Sequence, residues 1–278
     1  MGHDLNTIVN YYNDPGDGSQ PTPVYVGSTH VTNERPVNPV SVTVADVTHQ
    51  ESNYTLDTHG FQFHTHKTGI QRDDFFKDDQ IIKTIYYHEC EDLLKQITGA
   101  ANTKAFDHKV RYGPTSWHSL TNNNTQSRGP LHRAHVDQSY DGAEIRLRQF
   151  FPDQAQELMK RRWQIINIWR PLSTIHKDPL ALADATTVPD SDLVPASIIY
   201  TRTGKRSEQW TVKHSEGHKW FYKYRQEPDE VVLIKCFDSD QSVKARRTPH
   251  CAVKDGQEDG GEAEGNRESV EVRLLVFY

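Results

Sequence analysis

The amino-acid sequence predicts an α+β fold, because helical patterns lie before residue 163 and strand patterns follow it. One helix is predicted over residues 78–101, where apolar residues recur at helical spacing and Gly99 provides a stop. Its predicted inner side consists of Ile81, Ile85, His88, Leu93 and Ile97. A second helix is predicted over residues 150–163, with acidic residues near its start and basic residues near its end, as the helix dipole favours.

The strand patterns are short, rich in β-branched residues and bounded by turn residues. They cover residues 163–169, 197–200, 231–235 and 269–277. Helical segments followed by strands favour a β-sandwich packed against a helical layer. Among double-sheet folds, a jelly roll combines many short strands with an interior that can hold a ligand. The sequence therefore predicts a jelly-roll core flanked by helices.

We predict one domain over residues 1–278. Residues 1–60 are rich in Asp, Asn, Pro, Gly and Thr, so they are expected to form an extended N-terminal arm with edge strands such as 39–47. Residues 61–278 are expected to form the jelly-roll core with its helical layer. Two polar stretches, 112–130 and 254–266, are predicted to be loops.

Composition excludes several classes of function. No stretch approaches the roughly 20 apolar residues of a membrane helix, and the first residues lack the pattern of a secretory signal. The net charge is −6 and no basic patch is interleaved with aromatic residues, which argues against nucleic acid as a partner. Three scattered cysteines (Cys90, Cys236 and Cys251) argue against a disulfide framework, so a cytoplasmic location is expected.

The clearest candidate for a metal site is the tripeptide His135-Val-Asp137. Residues i and i+2 of a strand point to the same face, so this imidazole and carboxylate can bind one ion side by side. Two histidines and one carboxylate form the facial triad of non-haem iron oxygenases, which leaves positions open for a cosubstrate and O2. Alone, the motif is weak, because a histidine beside an aspartate often arises by chance on a protein surface.

Residues near the C-terminus strengthen this interpretation. His250 can supply a third ligand, and Arg267-Glu-Ser269 opens the last predicted strand. A guanidinium can form two parallel hydrogen bonds with a carboxylate, and a hydroxyl on the same strand face adds another, which suits 2-oxoglutarate. Alternation places Glu271 and Arg273 on that face too, where charges facing an interior need a polar ligand or mutual pairing. The alternative is the solvated face of an edge strand.

Other histidines compete for the third ligand position. His214 and His218 have the i, i+4 spacing of a helical metal site, His64 and His66 form a same-face pair, and His132 precedes the triad. For each of these we favour a surface role or a supporting role beside the metal ligands.

A series of motifs runs in order from about residue 55 to the C-terminus. They are Gly60-Phe-Gln-Phe63, Ile85-Tyr-Tyr87, Leu93-Leu94, Thr98-Gly-Ala100, Phe106-Asp-His108, Arg111, His135-Val-Asp-Gln-Ser139, Asn167-Ile-Trp-Arg-Pro-Leu172, Lys235-Cys-Phe-Asp-Ser239, Pro249-His250 and Arg267-Glu-Ser-Val-Glu-Val-Arg273. Through them the sequence resembles the AsaB-type hydroxylase/desaturase family of fungal secondary metabolism, which is also similar to CmcJ-like bacterial proteins. The polar stretch before His135 and the acidic loop 254–266 depart from the family pattern.

The resemblance implies a double-stranded β-helix, that is, a cupin-like jelly roll. It also implies a non-haem dioxygenase that depends on Fe(II), 2-oxoglutarate and O2, with ascorbate as an additional reductant. Such an enzyme would oxidise an unactivated C–H bond of a small molecule in secondary-metabolite biosynthesis. Hydroxylation, desaturation and oxidative ring closure all stay open as outcomes.

The resemblance also implies roles for particular residues. They are His135, Asp137 and His250 as iron ligands, Arg267 and Ser269 as the clamp for 2-oxoglutarate, and Asn167 and Arg170 as residues that line the site from a neighbouring strand. Since strand residues alternate, Arg170 should point away from Asn167 and Trp169. The sequence leaves open which of these two faces is inward.

Several readings compete with this function. The same ligands could serve a zinc-dependent hydrolase, or a non-catalytic jelly-roll protein that binds a metal or a small molecule. An iron enzyme could also use its substrate as the reductant, with Arg267 binding a substrate carboxylate. The expected partner is a small molecule, and Arg170, Lys235 and Arg273 would suit an amino-acid-derived or acidic one, unless they pair internally. The sequence makes no prediction about the oligomeric state.

Overall fold

The computed structural model describes residues 2–26, 35–117, 128–255 and 265–278. Within these residues two sheets are present, numbered here by strand in chain order. The larger has nine strands in the order β1 (Leu5–Tyr12), β3 (Val37–Asp46), β11 (Trp220–Tyr222), β8 (Leu180–Ala183), β13 (His250–Ala252), β6 (His135–Val136), β10 (Arg206–Val212), β9 (Leu193–Tyr200) and β2 (Val24–Val26). Its neighbours are antiparallel except for the parallel pairs β3–β11 and β2–β9.

The smaller sheet is antiparallel throughout. Within the described residues it has five strands in the order β4 (Phe61–Thr65), β12 (Glu230–Asp238), β7 (Trp163–Pro171), β14 (Ser269–Phe277) and β5 (Asn102–Arg111). The α-helices are α1 (Asp74–Lys77), α2 (Asp79–Ile81), α3 (Tyr87–Thr98), α4 (Tyr140–Phe150) and α5 (Ala155–Leu158). A π-helical turn joins α2 to α3 (Ile82–Tyr86), and 3-10 turns lie at Glu51–Asn53, Ala185–Thr187 and Asp190–Asp192.

The predicted helix over residues 78–101 forms, with one change of register. The Asp78 side chain accepts a hydrogen bond from the Gln80 amide (2.7 Å), and Gly99 ends the helix in a left-handed conformation (φ 69°). Between them the π turn shifts which residues face inward. Tyr86 is therefore buried, whereas Ile85, expected on the inner side, is 47% exposed.

The prediction of a helix over residues 150–163 is wrong. The helix in this region, α4, instead ends at Phe150 and begins after Ser139, whose hydroxyl accepts a hydrogen bond from the Gly142 amide (2.9 Å). Pro152 disfavours helical geometry at Phe151, so only the short α5 follows. The four predicted strands are confirmed as parts of β7, β9, β12 and β14.

Alternation along the smaller sheet creates two cores. Along β14, Val270, Val272 and Leu274 pack with the helices α1–α3, whereas Leu275 and Phe277 pack in the core between the two sheets. The helical layer therefore covers one face of the smaller sheet and the larger sheet covers the other. This is the layered arrangement expected of a jelly roll flanked by helices.

The segment 1–60 is built into the larger sheet. β1 and β2 form its two edges, and β3 pairs with β1 along its length. Of the two predicted polar loops, residues 118–127 and 256–264 lie outside the described residues. Among the helices of the described residues, none is long and apolar enough to cross a membrane.

Candidate metal centre

The three predicted metal ligands come together on two adjacent strands. His135 in β6 is the direct pairing partner of His250 in β13, and Asp137 follows the end of β6. One ligand atom from each lies within 4.8 Å of the other two, and His135 Nε2 is 3.4 Å from Asp137 Oδ1. A single ion can therefore contact all three side chains.

Both imidazoles are oriented for metal binding. The Nδ1 atom of His135 is 2.8 Å from the Arg133 carbonyl, and that of His250 is 3.1 Å from the Thr248 carbonyl. Because a carbonyl only accepts, each Nδ1 carries the hydrogen and each Nε2 keeps a free lone pair. Burial lowers the pKa of His250 to about 4, which favours the neutral form that a metal requires.

The carboxylate of Asp137 is held through one oxygen. Its Oδ2 accepts hydrogen bonds from Asn167 Nδ2 and Arg273 Nε, both at 2.7 Å. Burial would raise the pKa of Asp137, but Arg273 and the two histidines lower it well below its usual value. The group is thus a carboxylate whose Oδ1, on the side of His135, stays available for a metal.

Glu271 contacts both residues that donate to Asp137. It accepts hydrogen bonds from Asn167 Nδ2 and from Arg273 Nη2, the latter at 3.3 Å, while Arg273 Nη1 also contacts Asp107 at 2.8 Å. Asn167 and Arg273 are direct partners in the β7–β14 register, which explains why they meet at one carboxylate. Burial raises the pKa of Glu271, with Arg273 opposing that effect.

Arg267 and Ser269, expected to hold a dicarboxylate, are buried at the start of β14. Arg267 Nη1 donates to the Asp178 carbonyl (2.8 Å), and the guanidinium lies 5.5 Å from the centre of the Trp169 ring. Its buried Nε has no hydrogen-bond partner among the described residues. The guanidinium therefore keeps a donor for a further acceptor, as binding of a carboxylate requires.

Two charged residues considered for the site lie elsewhere. The expectation that Arg170 lines the site is corrected, because strand alternation turns it to the helical side. There it donates to Tyr86 Oη (2.8 Å), contacts His66 Nδ1 (2.6 Å) and approaches the Pro228 carbonyl. Lys235, considered for an acidic substrate, instead pairs internally, with Asp57 and Asp238 among its partners. Asn167 and Trp169 occupy the inward face.

The competing histidines take other positions. His218 is buried against Asp192 (3.0 Å), and His132 contacts Asp178 (3.1 Å). Neither these two nor His64, His66 or His214 belongs to a metal-binding group within the described residues.

The resemblance placed Asn167 in the lining of the site, but its contact with Asp137 becomes evident only from the strand register. Arg273 and Glu271 carried a signal, since both share the face of Ser269, but no role beside Asp137 was predicted for them. Arg111, which pairs opposite Ser269 in β5, likewise needed the sheet order.

A cavity of about 320 Å³ opens beside the ligand group. Its wall includes His135, Asp137 and Arg273 together with apolar residues such as Trp117 and Phe106. A small molecule in this space would lie next to two of the three candidate ligands, and its volume suits a compact substrate. The fold and the ligand group together define a class of jelly-roll proteins that bind one metal ion through two histidines and a carboxylate.

Known proteins identify the family within this class. The model of a family described as "Oxidoreductase/YMDC permease-like domain" matches residues 9–277. The chain is 34% identical over 294 residues to "Hydroxylase/desaturase efuI" of Hormonema carpetanum, covering 99% of this chain and 95% of that protein. It is 34% identical over 240 residues to "Alpha-ketoglutarate-dependent dioxygenase tstK" of Talaromyces stipitatus, covering 86% and 85%. With "Hydroxylase/desaturase asaB" of Aspergillus flavus it shares 29% identity over 289 residues, covering 99% and 95%.

A solved structure gives the same result. The structure "iron and alpha-ketoglutarate-dependent endoperoxidase NvfI with different conformation" superposes with a TM-score of 0.85 at 25% identity, covering 99% of this chain and 98% of that one. The chain belongs to the family of these hydroxylase/desaturases and alpha-ketoglutarate-dependent dioxygenases. The resemblance seen in the sequence and the predicted jelly-roll fold class are thereby confirmed.

Proposed function

We propose that this chain is an Fe(II)- and 2-oxoglutarate-dependent dioxygenase that oxidises an unactivated C–H bond of a small acidic molecule in secondary-metabolite biosynthesis. Amino-acid derivatives are one class of such molecules, and hydroxylation, desaturation or ring closure would each fit. The observation that carries the proposal is the convergence of His135, Asp137 and His250 beside a cavity. The printed names of its relatives support the chemistry.

In this proposal His135, Asp137 and His250 bind the iron. The donor set fits, since two neutral imidazole Nε2 atoms and one carboxylate oxygen form the facial arrangement that leaves positions open. Iron with 2-oxoglutarate and O2 supplies the oxidising power for cleavage of a C–H bond. Asn167 and Arg273 fix the orientation of Asp137, so the carboxylate binds through Oδ1 and stays ionised.

Arg267 and Ser269 are proposed to bind the far carboxylate of 2-oxoglutarate. The support is a buried guanidinium with an unpaired Nε and a buried hydroxyl at the start of the same strand. A planar guanidinium over the Trp169 ring is well fixed for two parallel hydrogen bonds. The cavity beside His135 would place the substrate C–H bond near the iron and keep bulk water away from it.

We further propose that residues 1–278 act as a single oxygenase domain in which the segment 1–60 contributes edge strands. A cytoplasmic location is part of the proposal. It is supported by Cys90, Cys236 and Cys251, which are buried free thiols and suit a reducing compartment.

The test is reconstitution of the metal-free protein with Fe(II), ascorbate and 2-oxoglutarate, followed by addition of O2 and measurement of succinate. We expect succinate only when iron, 2-oxoglutarate and O2 are all present, and faster formation with an accepted small acid. Zinc in place of iron serves as the matched control. Activity that persists with zinc, or that needs no 2-oxoglutarate, would overturn the proposal in favour of a hydrolase or of substrate-driven oxidation.

A further inference from the structure

The charge of the cavity beside the metal centre is opposite to that of the chain. The chain has a net charge of −6. Among the described residues, the cavity wall nevertheless carries six cationic side chains and two carboxylates, Asp107 and Asp137. The cations are Lys109, Arg111, Arg128, Arg133, Arg146 and Arg273. The overall composition does not explain this local excess of positive charge. A property of the cavity must therefore account for it.

Some of these cationic side chains already contact acceptor groups of the protein. Arg273 pairs with Asp137, Asp107 and Glu271. Arg111 donates from Nη1 to the Gly129 carbonyl at 2.9 Å. Asp107, the other carboxylate of the wall, has its ion pair with Arg273 at 2.8 Å. Both carboxylates of the wall are thus engaged by the same arginine.

Of the four other cations, Arg133 is buried. The three half-buried ones, which we call the cationic wall, have no carboxylate within ion-pair distance in the part of the chain that the structure describes. They are Lys109 on β5, Arg128 before the strand β6, and Arg146 on α4. Arg146 contacts only neutral partners, Tyr200 Oη at 2.7 Å and Gln149 Oε1 at 3.1 Å, and its buried Nε has no partner among the described residues. All three side chains line the cavity.

The positions of these cations are fixed by backbone contacts. The amides of Tyr112 and Gly113 both donate to the Arg128 carbonyl, at 3.0 and 3.1 Å. The next residue, Gly129, packs so tightly that a Cβ there would lie 2.2 Å from the Pro114 carbonyl oxygen. Arg128 therefore lies on a well-anchored backbone segment, while Lys109 lies on the strand β5 and Arg146 on the helix α4.

Half-buried cations with no carboxylate within ion-pair distance destabilise a protein unless something compensates them. Burial lowers the pKa of Lys109, and Arg128 lowers it further, against the opposing effect of Asp107. An anion in the cavity would relieve both the desolvation and the repulsion among the cations. From this geometry we propose that the cationic wall binds an anionic group of the substrate, a carboxylate or a phosphate, and thereby selects acidic substrates.

This inference rests on the proposed function, because the wall binds the substrate while Arg267 and Ser269 bind 2-oxoglutarate. Two arginines with planar, fork-like donors and one lysine suit a group with several acceptor oxygens. The positive cavity of a negatively charged protein would also attract anions selectively to this opening. The wall would then orient the bound acid relative to His135 and Asp137 on the same cavity surface.

The test uses the protein loaded with Fe(II) and 2-oxoglutarate under anaerobic conditions, with 4-phenylbutyrate and its neutral amide as matched probes. Isothermal titration calorimetry at low ionic strength measures both affinities. We expect the acid to bind at least about tenfold more tightly than the amide. Lys109→Gln, Arg128→Gln and Arg146→Gln should each weaken binding of the acid by about tenfold and change that of the amide less than about twofold.

Matched controls come from the same elements. Lys104→Gln on β5 and Arg148→Gln on α4 remove exposed cations that pair with Glu91 and Glu144, so both should bind the acid as the wild type does. Arg128→Lys and Arg146→Lys keep the charge and should recover part of the affinity, which separates loss of charge from loss of fold. Thermal denaturation of each variant checks folding.

Two results would overturn the inference. One is equal or undetectable binding of the two probes by the wild type. The other is a weaker affinity for 2-oxoglutarate in the three Gln variants, because the wall would then serve the cosubstrate. The proposed function fails separately, if the iron-loaded wild type does not bind 2-oxoglutarate at all.

Discussion

Two networks of buried charge include residues of the smaller sheet, and they differ in how completely their charges are paired. In the first network, the carboxylate of Asp238 is fully buried and accepts hydrogen bonds from Arg162 (2.7 Å), Gln164 (2.6 Å) and Lys235 (2.9 Å). Asp57 contacts the same two cations. Here two carboxylates balance two cations.

The network around Asp137 has the same kinds of residue but a different balance. Arg273 links Asp137, Glu271 and Asp107, while the three cations of the cationic wall have no carboxylate within ion-pair distance among the described residues. One oxygen of Asp137 and the Nε2 atoms of two histidines also stay available. Buried charge alone therefore does not distinguish the candidate site from the other network. Cations beside a cavity that have no carboxylate partner among the described residues do distinguish it.

The largest effect is expected from Asp137→Ala, which removes a proposed iron ligand from the incomplete network. Iron binding should be lost and turnover should fall by about a thousandfold or more, because two imidazoles hold the ion poorly. The unfolding free energy of the metal-free protein should change little, since Arg273 keeps Glu271 and Asp107. Calorimetric titration with Fe(II), the succinate assay and urea unfolding measure these quantities. Full iron binding and turnover by the variant would refute the assigned ligand set.

Asp238→Ala tests the balanced network and should have the opposite profile. Its loss leaves Arg162 and the buried Lys235 with Asp57 alone, so the unfolding free energy should fall by about 3 kcal/mol. Iron affinity should be unchanged. Urea unfolding at pH 7 and calorimetry of the same sample provide both readings. A drop in iron affinity without loss of stability would reverse the roles given to the two networks.

The difference in unfolding free energy between the wild type and Asp238→Ala depends on pH through the pKa of Asp238. Burial raises that pKa, but Arg162 and Lys235 lower it below its ordinary value overall. The stabilising contribution is therefore fully present above the unfolded-state pKa of about 4 and is lost as the pH falls through the lower folded-state value. The stability gap between wild type and Asp238→Ala should stay constant near neutrality and narrow only in acid, as urea unfolding at a series of pH values can measure.

Glu271→Gln affects the incomplete network indirectly. Gln keeps an acceptor for Asn167 but removes the charge that faces Arg273, so Asp137 should be held less firmly. We expect iron affinity to fall about tenfold, as for other residues that orient metal ligands. Calorimetric titration with Fe(II) measures it. Glu268→Gln is the matched control, since Glu268 pairs outward with Arg72. Equal iron affinities for wild type and Glu271→Gln would remove Glu271 from the site.

The sequence predicted those features of the two networks that depend on the local pattern of residues. Alternation in β14 placed Glu271 and Arg273 on one face and Val270 and Val272 on the other, and the structure has this arrangement. Asp137 was recognised because its neighbour His135 lies two residues away. The end of the helix at Gly99 followed from the glycine stop.

What the sequence missed depends on register and on tertiary packing. The π turn rotated Ile85 outward, an effect that a helical period of 3.6 does not contain. No long helix follows Phe150, because Pro152 disfavours helical geometry at Phe151, and this outweighs the favourable acidic and basic residues around it. That Lys235 pairs with Asp238 rather than a ligand, and that Asn167 meets Asp137, required the order of strands in the sheet.

The smallest effect is expected from Arg170→Met, which tests the boundary of the incomplete network. Arg170 lies three residues from Asn167 on β7 but on the helical side, where it contacts Tyr86 and His66. No carboxylate lies within ion-pair distance of it among the described residues, so losing its hydrogen bonds is partly offset by no longer burying a cation.

We therefore expect the unfolding free energy to fall by about 1 kcal/mol, with iron affinity, 2-oxoglutarate affinity and turnover within about twofold of the wild type. Asn167→Ala, on the opposite face of the same strand, is the matched contrast and should weaken iron binding, because Asp137 loses one of two donors. Urea unfolding and calorimetric titration of both variants decide the matter. If Arg170→Met lowers 2-oxoglutarate affinity as much as Arg267→Met does, the site extends through the smaller sheet, and its two faces are not functionally separate.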